Sequence, residues 1–412
     1  MNVMLLAEVT ADPALGGAER VLHEQALALQ RLGHRVAIVA RAPGGDQRSH
    51  VPIGEATECR YTVARDHELA FVWSSVVRSV RAFDQARAAT VVDCVLIHQS
   101  LAGLGPLLRR RTQARAWAYM CFSLSHEEYA SRTPSVYGWL TRLRRSLNVW
   151  ARRWVEGLVM RRCSSVIVLS EFMKQRVQRF HGIPESRIRL IPGAADPVRF
   201  CPPADPVAVR RELGLPLDKV VLFTARRLEP RMGLGNLLQA VAKLGPGSED
   251  CLVLIAGEGM LRPTLEGMIR DLKLSDRVRL LGLIPDGNLP KYFQASDLVV
   301  LPTQELEGFG LVMVEALACG VPVLGAPVGA IPEVLARVDP RLLTDGSDAQ
   351  ALAAGIRRLL ERFRDMPGER ERLSATGRAL VERDYTWSRH GELLDKALRD
   401  ACAGTGSSHV GV

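Results

Sequence analysis

The strongest constraint on the fold is an alternation that runs nearly the length of the chain. Short apolar runs that read as buried strands are separated by stretches whose apolar residues recur at helical spacing. Val3–Val9, Ala18–Arg31 and Arg35–Ala40 form a first strand–helix–strand unit, with Gly33 placed to cap the helix. Cys94–His98, Ala116–Cys121, Val166–Leu169 and Ile188–Ile191 are further candidate strands. After the proline-rich segment Ile191–Pro206 the pattern restarts with Val220–Thr224, Leu252–Ala256, Val278–Leu281, Leu298–Leu301 and Val321–Leu324. Strands separated by helices imply a parallel, doubly wound sheet, and the restart implies two of them. At 412 residues the chain also exceeds one ordinary core. The expected architecture is α/β: two doubly wound Rossmann-like domains, 1–195 and 196–385, facing a central cleft. A helix at 386–403 crosses back to brace the first domain, and the small, polar tail 404–412 is expected to be disordered.

Ligands of such sheets bind beyond the carboxyl ends of the strands. The stretch Glu307–Gly320, EGFGLVMVEALACG, follows the strand Leu298–Leu301 and so lies where a ligand loop belongs. It predicts a helix starting near Gly310 and ending at Gly320, which takes a left-handed cap. The first amides of a helix lack intrahelical partners and favour phosphate, and Gly308 and Gly310 let backbone approach a ligand closely. Glu315 lies roughly 7 to 8 Å along the axis from the helix start. A diphosphate at the helix start therefore leaves hydroxyls within reach of Glu307 on one side and Glu315 on the other, as in a sugar–diphosphate–ribose molecule. The same pair also reads as a solvated loop glutamate and a surface helix glutamate.

A hydrophobic fraction of 47% with 24% charged residues is that of a soluble globular protein. The N-terminal MNVMLLAEVT lacks a basic leader and carries Glu8, so it reads as a strand, and a cytoplasmic location is expected. The longest nearly uncharged run, Ala316–Pro332, is broken by three prolines, which excludes a membrane-spanning helix. The eight cysteines contain no CxxC and read as reduced core thiols. The net charge of +9 comes from arginine, since six of 54 basic residues are lysine. Planar guanidinium groups suit phosphate or an anionic membrane surface, although arginine-rich composition alone explains the excess equally well. Charge alone does not support a nucleic-acid partner.

ARRLEPRMG (Ala225–Gly233) follows a strand and packs Arg226, Arg227 and Arg231 into six positions, a candidate diphosphate clamp or a solvated turn. GGAER (Gly16–Arg20) precedes the first helix, as a substrate-contacting loop or a plain turn, and GEG (Gly257–Gly259) reads as a turn near the site. In Tyr137–Cys163, Trp139, Leu143, Leu147, Trp150, Trp154 and Leu158 recur at helical spacing while arginines fill the rest of the wheel. Such a helix either lies on an anionic membrane or packs its stripe on the sheet. His98 ends a strand and His126 stands in CFSLSHEEY after another. Both are positioned for the cleft, with a structural role as the alternative. No DxD, GxxxxGK[ST], HExxH or GxSxG occurs, so P-loop, zincin and α/β-hydrolase readings fall away and no metal or other cofactor is expected.

In this order the segments resemble the retaining glycosyltransferases of family four, which have the two-domain GT-B fold. The resemblance covers most of the chain: GGAER, VIVLSEFMKQRV (166–177), IPGAADPVRF (191–200), the RRL turn, AGEGMLR, LGLIPDGNLPKYFQASDLVVLP (281–302) and EGFGLVMVEALACGVPV. It implies a metal-independent transferase that moves a sugar from a UDP- or GDP-sugar to a sugar or lipid-linked acceptor hydroxyl, in cell-surface polysaccharide or glycolipid assembly. Residues 1–195 would form the acceptor side and 196–385 the nucleotide-sugar side. Glu307 would bind donor-sugar hydroxyls, Glu315 the ribose, and Phe309, Gly310 and Leu311 the phosphate and sugar. Arg227, with Arg226 and Arg231, would neutralise the leaving diphosphate. Gly17 would border the donor phosphate, Ile284 would join the donor-binding set, and His126 would serve the chemistry. Two positions depart from the family: its usual turn lysine is Met232 here, and its usual histidine after Ala116–Cys121 is replaced by Cys121 and Phe122. These departures keep open a catalytically weak homologue that binds nucleotide-sugar or acts as a partner subunit.

Overall fold

The computed structural model describes residues 1–13, 16–46, 48–88, 91–132, 138–244 and 251–404. The chain divides into two compact units, one of Met1–Ala130, Ser135–Gly193 and Trp387–Val412, the other of Ser131–Pro134 and Ala194–Thr386.

The first unit is built on eight strands among the described residues: β1 Asn2–Ala7, β2 Arg35–Arg41, β3 His50–Ile53, β4 Ala56–Tyr61, β5 Val92–Ile97, β6 Ala114–Cys121, β7 Ser165–Val168 and β8 Ile188–Leu190. Their order is β3-β4-β2-β1-β5-β6-β7-β8. The central strands are covered on both faces, which is why they read as unbroken apolar runs. Leu5 pairs in register with Ile38 on one side and Leu96 on the other. The parallel expectation fails at one edge, where β3 runs antiparallel to β4. The β3–β4 hairpin escapes a reading by apolar runs because β4 carries Glu58 and Arg60. Both are buried and joined at 3.0 Å, so the charges that mimic a loop are neutralised inside the sheet.

The second unit holds β9 Val220–Ala225, β10 Cys251–Ala256, β11 Val278–Gly282, β12 Leu298–Leu301 and β13 Val323–Gly325, all parallel, in the order β11-β10-β9-β12-β13. The order reverses between β9 and β12, which makes their carboxyl ends the topological switch point of this sheet.

The last helix runs Trp387–Gly404 and belongs to the first unit; the tail beyond it lies outside the described residues. The tryptophan helix spans Trp139–Arg162, and Tyr137 also lies outside the described residues. Only its second half is covered, through Glu156, Gly157, Val159 and Met160. Trp139, Leu143, Leu147, Trp150 and Trp154 are each at least half exposed, so the alternative in which this stripe packs on the sheet does not hold. Leu69 and Trp73, on the helix Glu68–Arg87, are exposed as well, and Glu68 there meets Arg144 at 2.8 Å. No helix among the described residues is long and apolar enough to cross a membrane. All eight cysteines are free thiols.

Candidate functional site

The switch point between β9 and β12 gathers the residues singled out in the second unit. β9 ends at Ala225, and the chain turns at once into Arg226 and Arg227. β12 ends at Leu301 and leads through Pro302 and Thr303 to Glu307. Glu307 is 7% exposed and Glu315 is fully buried, so the readings of a solvated loop glutamate and a surface glutamate are both excluded. Arg226 turns inward, and its Nη1 donates to Glu307 Oε2 at 2.5 Å. Thr303 Oγ1 donates to the same oxygen at 3.2 Å. A buried carboxylate held by a guanidinium and a hydroxyl is fixed in orientation, and Oε1 is left facing Gly310.

The backbone around Glu307 is equally determined. Leu306 sits at φ +59, a left-handed conformation that costs a β-carbon about 1–2 kcal/mol. Its carbonyl accepts from Arg231 Nη1 at 3.1 Å. The Glu307 carbonyl accepts from Ala330 N at 2.9 Å, and Gly329, at φ +61, presses against it so closely that a β-carbon there would lie 2.2 Å from the oxygen. Gly310, at φ +86, opens the helix Leu311–Ala318, and no side chain among the described residues caps that helix start. Gly320 takes the expected left-handed cap at φ +70. Phe309 is buried, its ring 5.7 Å from that of Tyr385.

The three arginines separate by environment. Arg226 is buried on Glu307, whereas Arg231 reaches the Leu306 carbonyl from a short 3₁₀ turn, Pro230–Met232. Arg227 is exposed and its guanidinium has no partner among the described residues. Met232, where a lysine was the family expectation, is buried. GEG packs under this turn: Ala256 and Glu258 carbonyls accept from the amides of Arg226 and Leu228 at 2.9 and 3.0 Å. Ile284 lies half-buried in the loop beyond β11.

Gly17 and His126 belong to the first unit. Gly17 is exposed and begins the helix Gly17–Arg31 behind Gly16, with no side-chain cap among the described residues. His126, in the helix Ser125–Arg132, is buried and turned toward Glu156 Oε2, which His181 also meets at 3.1 Å. Burial alone would raise the Glu156 carboxyl, but hydrogen bonds from His126, His181 and the Ser125 amide hold it below its ordinary range. His126, Glu156 and His181 thus form a hydrogen-bonding hub that ties three helices together. His98 lies just beyond β5, its ring edge-on to Phe122 at 5.5 Å, and burial lowers its pKa to about 3, so it is neutral. Burial also pushes the Cys121 thiol well up, so it stays protonated.

Thr303 and Gly329 were not legible as site residues. Nothing in their local sequence marks them, since their importance lies in contacts to Glu307. A separate cavity of about 600 Å³ is lined by Val220, Asp297, Phe363 and Arg370 at the amino ends of β9 and β12. That is the opposite end of the sheet from a ligand site.

Glycosyl transferases group 1 match residues 208–379, and glycosyltransferase family 4 matches residues 15–199. A D-inositol 3-phosphate glycosyltransferase of Mycolicibacterium smegmatis is 30% identical over 84% of this chain and 79% of its own. A GDP-mannose-dependent monoacylated alpha-(1-6)-phosphatidylinositol monomannoside mannosyltransferase of Corynebacterium glutamicum is 32% identical over 51% of this chain, a match that spans about half of that protein, 55%. Among solved structures, sucrose-phosphate synthase from Thermosynechococcus elongatus superposes with a TM-score of 0.81 at 24% identity, covering 98% of this chain and all of that one. WaaG, a glycosyltransferase involved in lipopolysaccharide biosynthesis, superposes at 0.73 with 17% identity, over 97% and 99%.

Proposed function

The chain belongs to the group 1 glycosyl transferases, glycosyltransferase family 4, with the GT-B fold, and from that premise we propose that it moves a sugar from a nucleoside-diphosphate donor to an acceptor hydroxyl with retention of configuration. The observation that carries this reading is the switch-point constellation: a buried, oriented Glu307, a helix start at Gly310 and the exposed Arg227, the last two without a side-chain cap or partner among the described residues. In this reading the diphosphate lies at the helix start, the amides of Gly310 and Leu311 and the Arg227 guanidinium stabilise charge as the glycosidic C–O bond breaks, and Glu307 Oε1 accepts from the sugar hydroxyls. Glu315 serves the ribose. The acceptor hydroxyl attacks the face the diphosphate is leaving, and the departing phosphate oxygen takes its proton. Cationic side chains and amides do the work assigned elsewhere to a metal ion, so no cofactor is required.

The acceptor is a sugar or lipid-linked molecule at the inner surface of a membrane, in polysaccharide or glycolipid assembly. The exposed tryptophan stripe on Trp139–Arg162, flanked by Arg142, Arg144, Arg152 and Arg153, fits an anionic lipid surface in both polarity and charge. The buried Met232 favours one alternative, a nucleotide-sugar-binding homologue with little turnover.

A screen of UDP- and GDP-sugars by thermal shift, followed by release of nucleoside diphosphate with candidate acceptors, tests the reading. Stabilisation with turnover supports it. Stabilisation without turnover supports the binding homologue, and no stabilisation by any nucleotide-sugar refutes both. Salt-sensitive sedimentation with anionic liposomes, lost on Trp150→Ala/Trp154→Ala, tests the membrane contact.

A further inference from the structure

Glu156 is a carboxylate buried without a permanent cation. Its side chain is 1% exposed, and among the described residues no lysine or arginine forms an ion pair with it. Two imidazoles meet one of its oxygens: His126 Nδ1 and His181 Nε2 lie 3.4 and 3.1 Å from Oε2. The other oxygen, Oε1, accepts from the Ser125 amide at 3.1 Å and from the Tyr119 hydroxyl at 3.5 Å. A buried charge is stable when it is paired or when it holds a metal, and two imidazoles with one carboxylate are a ligand set for zinc.

The three side chains come from three helices, Ser125–Arg132, Trp139–Arg162 and Glu171–His181. The imidazole planes stand 87° apart with ring centres separated by 5.7 Å, so their nitrogens reach the same oxygen from different directions. Gly157 leaves room for this, because a β-carbon there would fall 2.9 Å from His181 Nδ1. One ligand atom from each of the three side chains lies within 4.8 Å of the other two. A tetrahedral ion bonded at about 2.0–2.1 Å holds its ligand atoms about 3.3 Å apart, so the two contacts to Oε2 already have the span of a coordination shell. Hydrogen bonds have a similar span, and the donor set distinguishes the two cases. Oε2 is the oxygen on which both nitrogens converge, while Oε1 is held by a backbone amide, as the outer oxygen of a ligating carboxylate is.

We propose that His126, Glu156 and His181 form a structural zinc site inside the first unit, completed by water as the fourth ligand. The ion takes the place of the protons that the imidazoles otherwise direct at Oε2, and each neutral ring carries its remaining N–H on the nitrogen facing away. Mg²⁺ and Ca²⁺ are disfavoured, since two of the three donors are nitrogen. Entry is from the side of His126, whose side chain is 6% exposed against 1% for Glu156 and His181. The ion fastens the helix Trp139–Arg162, which carries the exposed tryptophan stripe, to the other two helices. It takes no part in sugar transfer, and the inference does not depend on the transferase reading.

The full-length protein is stripped with a chelator and titrated with Zn²⁺, and in parallel with Co²⁺ as a spectroscopic substitute. The expected result is one ion per chain, a higher melting temperature with Zn²⁺, and the visible d–d bands of low-coordinate cobalt. Glu156→Gln and His126→Gln should each weaken Zn²⁺ binding by about 100-fold or more, because losing a ligand costs at least as much as losing its outer-shell support, about 10- to 100-fold. No uptake by the wild type, or equal affinity in the wild type and both variants, overturns the proposal. So does an intense near-ultraviolet sulfur-to-cobalt band, which would place the ion on the free thiols. If the variants do not fold, zinc K-edge absorption of the wild type decides: a shell of imidazole nitrogen and oxygen supports the site, and one that contains sulfur or lacks imidazole rejects it.

Discussion

Replacing Gly329 by alanine tests whether the backbone of Glu307 is as tightly determined as its contacts imply. A β-carbon at 329 falls 2.2 Å from the Glu307 carbonyl oxygen and 2.9 Å from its carbon and nitrogen. An unstrained C···O contact is about 3.3 Å, so one of the two segments must retreat by about 1 Å. The left-handed φ of +61 adds about 1–2 kcal/mol for any L side chain, and relieving the overlap adds about 1–3 kcal/mol. The expected destabilisation is thus about 2–5 kcal/mol, a large share of a typical total stability. A shift of that size in a substrate-positioning group lowers turnover by about 100-fold. Gly214 provides the control, because its φ of +62 is nearly the same while nothing lies within 4 Å of its β-carbon. Gly214→Ala carries the conformational cost alone and leaves turnover unchanged. Thermal melts and initial rates of nucleoside diphosphate release for both variants decide the matter. If Gly329→Ala matches Gly214→Ala in melting temperature and rate, the carbonyl contact does not position Glu307.

Arg227→Ala should change stability by no more than about 0.5 kcal/mol, since the side chain is exposed, while lowering the rate about 10²- to 10³-fold, as paired melts and initial rates will show. Glu315→Gln and a donor lacking a ribose hydroxyl should each weaken donor binding, and combining them should cost no more than either alone; additive losses in calorimetry would place the ribose elsewhere. His98 and His390 are held neutral by burial, with pKa values of about 3 and about 4 against an ordinary 6.5. The unfolded chain then binds more protons than the folded one below pH 6.5, so stability falls on acidification by up to about 1.4 kcal/mol per pH unit for each, and His98→Phe should flatten the slope of melting temperature between pH 6.5 and 5. Glu156 acts lower on the scale. Its depressed pKa contributes stability that is fully present above 4.5 and is lost as pH falls through the folded value, so Glu156→Gln should be less stable than wild type at pH 7 and the gap should narrow below pH 4.5.

The strands of both units were legible because parallel strands covered on both faces must be apolar throughout, and the glutamate pair was legible because it brackets the start of one helix. What escaped was decided by partners distant in sequence. Glu58 and Arg60 disguise a strand until each is seen to neutralise the other. Arg226, Arg227 and Arg231 are equivalent as letters, yet a carboxylate 81 positions away turns one of them inward. His126 stands where a cleft residue belongs, but Glu156, 30 positions on, and His181 claim its surroundings. The tryptophan stripe has helical period whether it faces a sheet or solvent, and only the exposure of its side chains separates the two.

The first unit is assembled from both ends of the chain. Its closing helix, Trp387–Gly404, reaches back within that unit: His390 lies 2.9 Å from Gln25 and 2.7 Å from the Pro192 carbonyl, and Asp395 meets His34 at 2.8 Å. Almost all of the second unit is one uninterrupted span threaded between those ends. Domains usually complete in the order in which they leave the ribosome. Here the order is inverted: the unit whose first residues emerge earlier waits for a helix made after the second unit, with a surface of the helix Gly17–Arg31 unsealed while that unit is synthesised. Early termination near residue 386 would therefore damage the beginning of the molecule while leaving its middle nearly whole.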